Sequence, residues 1–172
     1  MKIIPCDRTF APQILDIFND AILHSTALYD YKPRSPESMK AWFDAKEKSN
    51  FPVIGIVDEA GKLLAFGSYG TFRAWPAYKY TIEHSIYVEK DQRGNGYGKT
   101  LLGELIKNAE VQNYHCMMAG IDSSNTISLK LHRSFGFKFC GQIKQVGYKF
   151  GRWLDLDFYQ LLLKTPGEPT EG

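Results

Sequence analysis

The chain carries only three cysteines in 172 residues, Cys6, Cys116 and Cys140. They are odd in number, widely spaced and contain no C-x-x-C pair. That excludes a disulfide framework and a cysteine-based zinc site, and no metal is expected; a reducing, cytoplasmic setting fits. Long apolar runs are missing too. No stretch approaches the roughly 18 residues that a membrane span needs, and "MKIIPCDRTF" has no apolar core long enough for a secretory signal. Runs of Lys and Arg are also lacking: 21 basic against 19 acidic residues leave a net charge of +2, too mild for a nucleic-acid partner. There is no internal repeat and no low-complexity tract.

What is present suits a globular protein with one sizeable core. Hydrophobic residues make up 44% and charged residues 23%. The expected domain covers 1–164. Residues 165–172, "TPGEPTEG", cannot pack a core and are expected to form a disordered tail.

Periodicity predicts the elements. Ile14, Leu15, Ile17, Phe18, Ala21 and Ile22 recur at helical spacing, so 12–24 is an amphipathic helix. A second helix follows "KPRSPE", with Met39, Trp42 and Phe43 on one face. "HSTALYDY" between them reads as a loop. The period then changes: "FPVIGIV" and "LLAFGSYG" form a hairpin around "DEAGK". In "YTIEHSIYV", Thr81, Glu83, Ser85 and Tyr87 share one face and Ile82, His84, Ile86 and Val88 the other. Leu101, Leu102, Leu105, Ile106 and Ala109 mark a helix of about 15 residues. "HCMMAGI" is a strand, "NTISLKLHRSF" a helix closed by Gly136, and "FKFCGQIKQVGYK" (broken by glycines) and "DLDFYQLLLK" are late strands. The fold class is α/β in the mixed α+β sense, with one central mixed sheet flanked by helices.

The segment "DQRGNGYGKT" places three glycines at alternate positions between a strand and a helix. It misses a Walker A loop, which needs glycine where Arg93 stands, and a dinucleotide fingerprint, which needs glycine where Lys99 stands. The free N–H groups and dipole of the helix start still favour an anion, glycines let a bulky ligand approach, and Arg93 and Lys99 add charge. On these residues alone the loop is either an anion site or a glycine turn with two solvated cations.

"Q-R-G-N-G-Y-G" resembles the Q/R-x-x-G-x-G/A signature of the Gcn5-related N-acetyltransferases (GNAT). "STALYDY", "EHSIYV", "NTISLKLHRSFGF" and "VGYKFGRWLDLDFYQLLL" resemble, in that order, the phosphinothricin acetyltransferase branch, and most of all its methionine sulfone and methionine sulfoximine acetyltransferases. The resemblance spans about 1–163 and implies a splayed central sheet and acetyl-coenzyme A as cosubstrate. It assigns the backbone of Ile86, Tyr87 and Val88 to the pantetheine arm, their N–H groups to the thioester carbonyl, and Gly94, Asn95, Gly96, Tyr97, Gly98 and Lys99 to the diphosphate. Asn125 would touch the cofactor, while its residue type before "TISLKL" equally suits a helix cap.

The resemblance makes Glu83 the base that takes the proton of the attacking amine; without it, Glu83 reads as a strand-surface glutamate. His132 stands where many members have a tyrosine that protonates the leaving thiolate. It would deliver that proton or simply pack against the cofactor. The other histidines, His24, His84 and His115, read as structural, with the chain around His84 lining the site. Arg73, Ala74 and Trp75 of "TFRAW", with Glu83, His84 and Ser85, would hold the amino-acid acceptor. Arg73 would grip its carboxylate or else stay a solvated loop arginine. Phe10, Leu28, Tyr29 and Tyr31 are further wall candidates. Phe150 replaces a histidine of the herbicide-resistance enzymes, which argues against phosphinothricin. No cysteine matches an acyl carrier position, so direct attack in a ternary complex is implied. The acceptor is a small amino acid, and the branch implies a homodimer. The alternatives are a non-catalytic coenzyme A sensor and an acetyltransferase of protein N-termini or polyamines.

Overall fold

The computed structural model describes residues 1–171. Among them the order is β1 (Lys2–Pro5), α1 (Ala11–His24), α2 (Pro36–Lys48), β2 (Val53–Val57), β3 (Leu63–Thr71), β4 (Thr81–Val88), α3 (Tyr97–Val111), β5 (Cys116–Asp122), α4 (Thr126–Ser134), β6 (Lys138–Lys149) and β7 (Arg152–Leu162). The seven strands form one sheet in the order β1-β2-β3-β4-β5-β7-β6. The β4–β5 pair is parallel, whereas β1–β2, β2–β3, β5–β7 and β7–β6 are antiparallel, so the sheet is mixed as expected.

Two compact units are distinguished. The first comprises Met1–Tyr69 and Ser85–Leu105. Its α1 buries the six residues of the expected apolar stripe. Phe18 is the hub: Trp42, Phe66 and Tyr87 stand edge-on to it at centroid distances of 5.6, 5.0 and 5.0 Å. Each such pair adds about 0.5–1.5 kcal/mol beyond area burial. In α2, Met39 and Phe43 are buried, and Trp42 is partly buried against the same core. The sequence reading began with a helix, but β1 precedes it. Its four residues "KIIP" are too short and too exposed to show a period, and pairing from Lys2↔Val57 to Pro5↔Ile54 defines the strand.

The second unit holds Gly70–His84 and residues from Ile106 onward. Here β5 pairs over its whole length with β7, and β7 with β6. The glycines of β6 do not break it. Register shifts near Gly141 and before Gly147 absorb the irregularity as bulges, leaving one 12-residue strand. The β6–β7 turn places Phe150 at φ 52° and Gly151 at φ 74°. In the C-terminal segment, the Thr165 hydroxyl donates to the Tyr114 carbonyl at 2.6 Å, and the Thr170 N–H donates to the Tyr80 hydroxyl at 3.1 Å.

Strand β4 contributes Thr81–His84 to the second unit and Ser85–Val88 to the first. Its parallel register with β5 covers Thr81↔Cys116, Ile82↔Met117 and Glu83↔Met118. The predicted alternation does not sort apolar from solvated positions. Ile82 and His84 are buried on one face and Tyr87 on the other.

Candidate active site

In the first unit, β4 ends at Val88 and a short 3-10 turn at Lys90–Gln92 leads to the glycine loop. Gly94 and Gly96 adopt φ +85° and +81°, a conformation that disfavours any other residue, and nothing lies within 4 Å of where a Cβ would stand at either. The loop backbone is therefore both shaped by glycine and open to a ligand. The Gly96 carbonyl accepts the Thr100 N–H at 3.1 Å, so α3 begins at the loop. The N–H groups of Tyr97, Gly98 and Lys99 fall in its first turn, where no carbonyl of the helix can reach them. Asn95 is tied back by its Nδ2, which donates to the Gln92 carbonyl at 3.1 Å. Arg93 reaches Asp20 of α1 at 3.3 Å and the Val88 carbonyl at 3.4 Å, while Lys99 is exposed. Of the β4 residues, Tyr87 has its ring in the aromatic core, and Ile86 lies beside Gly67.

In the second unit, Glu83 is half-buried, and that burial raises its pKa above the ordinary carboxylate value. A raised pKa makes the carboxylate a stronger base, the direction that proton abstraction requires. His84 and His132 are both buried, and their Nε2 atoms stand 2.9 Å apart. The His84 Nδ1–H donates to the Met118 carbonyl at 2.9 Å. His132 Nδ1 lies 2.7 Å from the Ser128 carbonyl and 3.3 Å from the Ser128 hydroxyl. Carbonyls only accept, so both Nδ1 atoms carry their ring protons, donated to the Met118 and Ser128 carbonyls, and in the neutral pair the two Nε2 atoms face each other without one. Burial pushes the His84 pKa down to about 3 and lowers that of His132 as well. Both ring nitrogens of His132 are thus engaged inside the protein, with Phe137 edge-on at 5.1 Å. The expected proton donor to a leaving thiolate has no ring N–H to offer in this arrangement. His132 braces β4 through His84.

Asn125 has the capping role: its Oδ1 accepts the Ser128 N–H at 3.1 Å. Arg73, Ala74 and Trp75 lie exposed, with the Arg73 guanidinium 5.5 Å from the Phe72 ring and Trp75 6.5 Å from Tyr78. A groove of about 570 Å³ in this unit is lined by Arg133, Lys138, Phe139, Gln142, Asp157 and Tyr159 among others, and includes none of the predicted site residues. Two residues near Glu83 and His132 escaped the sequence reading. Ser128 carried no signal, since a serine in a helix is unremarkable. Gly120 did carry one: a glycine inside a strand marks close approach of another group.

Comparison with known proteins follows the same lines. Residues 11–157 match the acetyltransferase (GNAT) domain model. The chain is 47% identical over 152 residues to the L-methionine sulfoximine/L-methionine sulfone acetyltransferase of Pseudomonas paraeruginosa, covering 88% of each protein. A solved structure of a candidate acetyltransferase from Acinetobacter baylyi ADP1 superposes with a TM-score of 0.98 at 55% identity, covering 99% of this chain and 96% of that one. A GNAT phosphinothricin acetyltransferase from Sinorhizobium meliloti, solved in complex with AcCoA, gives 0.94 at 32% identity, covering 99% and 94%. With a family match across most of its length and a glycine loop that opens α3 after β4, the chain belongs to the GNAT acetyltransferase domain family.

Proposed function

We propose that the chain acetylates the α-amine of a small amino acid, L-methionine sulfone or L-methionine sulfoximine, by direct attack on acetyl-CoA in a ternary complex. The observation that carries this reading is Glu83: a half-buried carboxylate of raised basicity, on the strand that runs directly into the glycine loop. The relative at 47% identity is named for these acceptors, whereas the phosphinothricin enzyme is 32% identical. Phosphinothricin is accordingly the weaker candidate, in keeping with Phe150 in place of histidine.

Acetyl-CoA supplies the acetyl group as an activated thioester. The loop residues suit its diphosphate: Gly94 and Gly96 keep the backbone open, and the first N–H groups of α3 with Lys99 meet negative charge. The Ile86–Val88 N–H groups face the thioester carbonyl and favour the charge that develops on its oxygen. Glu83 attracts the acceptor ammonium and removes one proton, directly or through a water. The free amine then forms the N–C bond as the C–S bond breaks, and coenzyme A leaves as its thiol, taking up the proton that the nitrogen sheds on becoming an amide. Arg73 holds the acceptor carboxylate, beside Ala74 and Trp75. Among the described residues no cluster of His, Cys, Asp or Glu could hold a metal ion and no helix is long and apolar enough to cross a membrane. Three free cysteines suit a cytoplasmic protein.

A second copy of the chain is the proposed partner. Strand β6 ends the sheet order and, with β7, exposes Phe139, Ile143, Tyr148 and Trp153. A monomer in sedimentation at micromolar concentration discards this.

The acceptor is tested by measuring coenzyme A release over a panel of methionine sulfone, methionine sulfoximine, phosphinothricin, spermidine and short peptides. Turnover of the two methionine analogues is expected; binding of acetyl-CoA with no turnover of any amine sinks the enzyme reading. Glu83→Gln should lower turnover by about 10²–10⁴-fold with acetyl-CoA affinity retained, and unchanged turnover removes Glu83 from the mechanism.

A further inference from the structure

Lys46 of α2 has an uncommon setting for an ammonium. Its Nζ donates to the Tyr69 carbonyl at 2.7 Å and lies 5.3 and 5.7 Å from the ring centroids of Trp42 and Phe51. The two rings stand where water or a carboxylate normally meets a lysine. Asp44 and Glu47, close by in the chain, bind Arg8 instead, and Asp44 also takes Lys40. Among the described residues no carboxylate pairs with Lys46. A charged –NH₃⁺ has three protons to place, and the protein offers it one carbonyl. A neutral –NH₂ keeps that hydrogen bond and presents a lone pair. The ring faces favour the cation, but burial outweighs them and pushes the Lys46 pKa down to about 8. The residue is half-buried rather than enclosed, so the amine is not sealed from solution.

We propose that Lys46 is a modification site, whose ε-amine takes the acetyl group of acetyl-CoA directly and without Glu83. This goes beyond the amino-acid reading given above and shares with it only the acetyl donor. The ammonium first gives one proton to water. The free amine then attacks the thioester carbonyl; the N–C bond forms, the C–S bond breaks, and a second proton from the nitrogen leaves with coenzyme A as its thiol. At about pH 7.5 roughly a quarter of Lys46 side chains are neutral, against about one in a thousand for a lysine at the ordinary value of about 10.4. A less basic amine is a weaker nucleophile, so the net advantage over an exposed lysine is about tenfold. The product amide keeps one N–H for the Tyr69 carbonyl and gives up the charge and both cation–ring contacts.

The test incubates the full chain with deuterium-labelled acetyl-CoA and follows its peptides by mass spectrometry. Lys40, exposed and ion-paired with Asp44, is the internal control. At about pH 7.5 Lys46 should be labelled about tenfold faster than Lys40, and its rate should level off above about pH 9. Equal rates at the two lysines overturn the assignment, as does a Lys46 rate that climbs without levelling. Glu83→Gln should label Lys46 as fast as wild type; a lower rate in that variant moves the transfer to the active site and overturns the direct reaction. Phe51→Ser opens one side of the cage to water and should bring Lys46 down toward the Lys40 rate, whereas an unchanged rate overturns the cage as its cause. A nitrogen-detected NMR titration of Lys46 Nζ in the wild-type protein needs neither a variant nor acetyl transfer. Its midpoint should fall near 8, and a midpoint at the ordinary lysine value overturns the proposal. Labelling of Lys46 by a protein that acetylates no free amino acid supports the site and sinks the acetyltransferase reading instead.

Discussion

In the proposed mechanism the two units use opposite means to prepare for chemistry. In the first, the working surface is backbone. Gly94 and Gly96 set the loop, the opening turn of α3 offers N–H groups, and the side chains around them serve packing: Tyr87 goes into the aromatic core and Arg93 toward Asp20. In the second, side chains do the work and the backbone positions them. Glu83 has its basicity set by burial, and the two buried imidazoles anchor its neighbour. A backbone site tolerates changes of side chain but not of glycine. A side-chain site depends on the protonation and room of one or two groups.

That contrast can be broken at three points. The largest effect is expected from Phe18→Ala, which removes the hub of the first unit's core and should destabilise it by about 3–5 kcal/mol. Urea unfolding followed by tryptophan fluorescence checks it, since Trp42 packs on Phe18. A loss below about 1 kcal/mol would show that the aromatic cluster is not what holds α1.

Next is acidification, which should act on the second unit. Burial holds His84 and His132 below the ordinary histidine pKa, so both stay neutral when folded and gain a proton when unfolded. Stability is complete above the unfolded pKa of about 6.5 and is lost as pH falls toward the folded value. For His84 alone the loss at about pH 5 is about 2 kcal/mol. Glu83 works in the opposite sense, since its raised pKa makes acid relieve the burial of its charge. The carboxylates paired with Arg8, Asp44 and Glu47, have lowered pKa values and titrate below this window. Urea midpoints between pH 7 and 5 measure the sum. A flat profile would falsify the neutral pair and place a shared proton between the rings.

The smallest effect is expected at Gly96→Ala. A side chain at φ +81° costs about 1–2 kcal/mol, which the exposed loop escapes by changing shape. Acetyl-CoA binding, read by calorimetry, should weaken about five- to thirtyfold with the unfolding midpoint retained. Undiminished affinity would mean that loop conformation does not select the diphosphate.

Legibility in the sequence followed the same division. The stripe of α1, the hairpin strands and the glycine loop were all visible as periods and spacings, because each is a local pattern repeated over several residues. Strand β1 was invisible: four residues have no period, and their conformation comes from pairing with β2, about fifty residues away. The continuity of β6 was hidden for a related reason, since glycines that interrupt a pattern are absorbed as bulges once β7 supplies the register. Asn125 shows the cap that its residue type suggested, with its Oδ1 on the Ser128 N–H.

By itself the sequence determined what depends on neighbours along the chain: helix faces, strand alternation, the loop between β4 and α3, and through its motifs the family. Tertiary structure alone decided what depends on distant residues coming together. His132 meets His84 across 48 positions, ring against ring in a buried setting, and Gly120 comes to face Glu83 from an adjacent strand. Burial, and with it basicity and room, is a property of what packs around a group, and no local spacing encodes it.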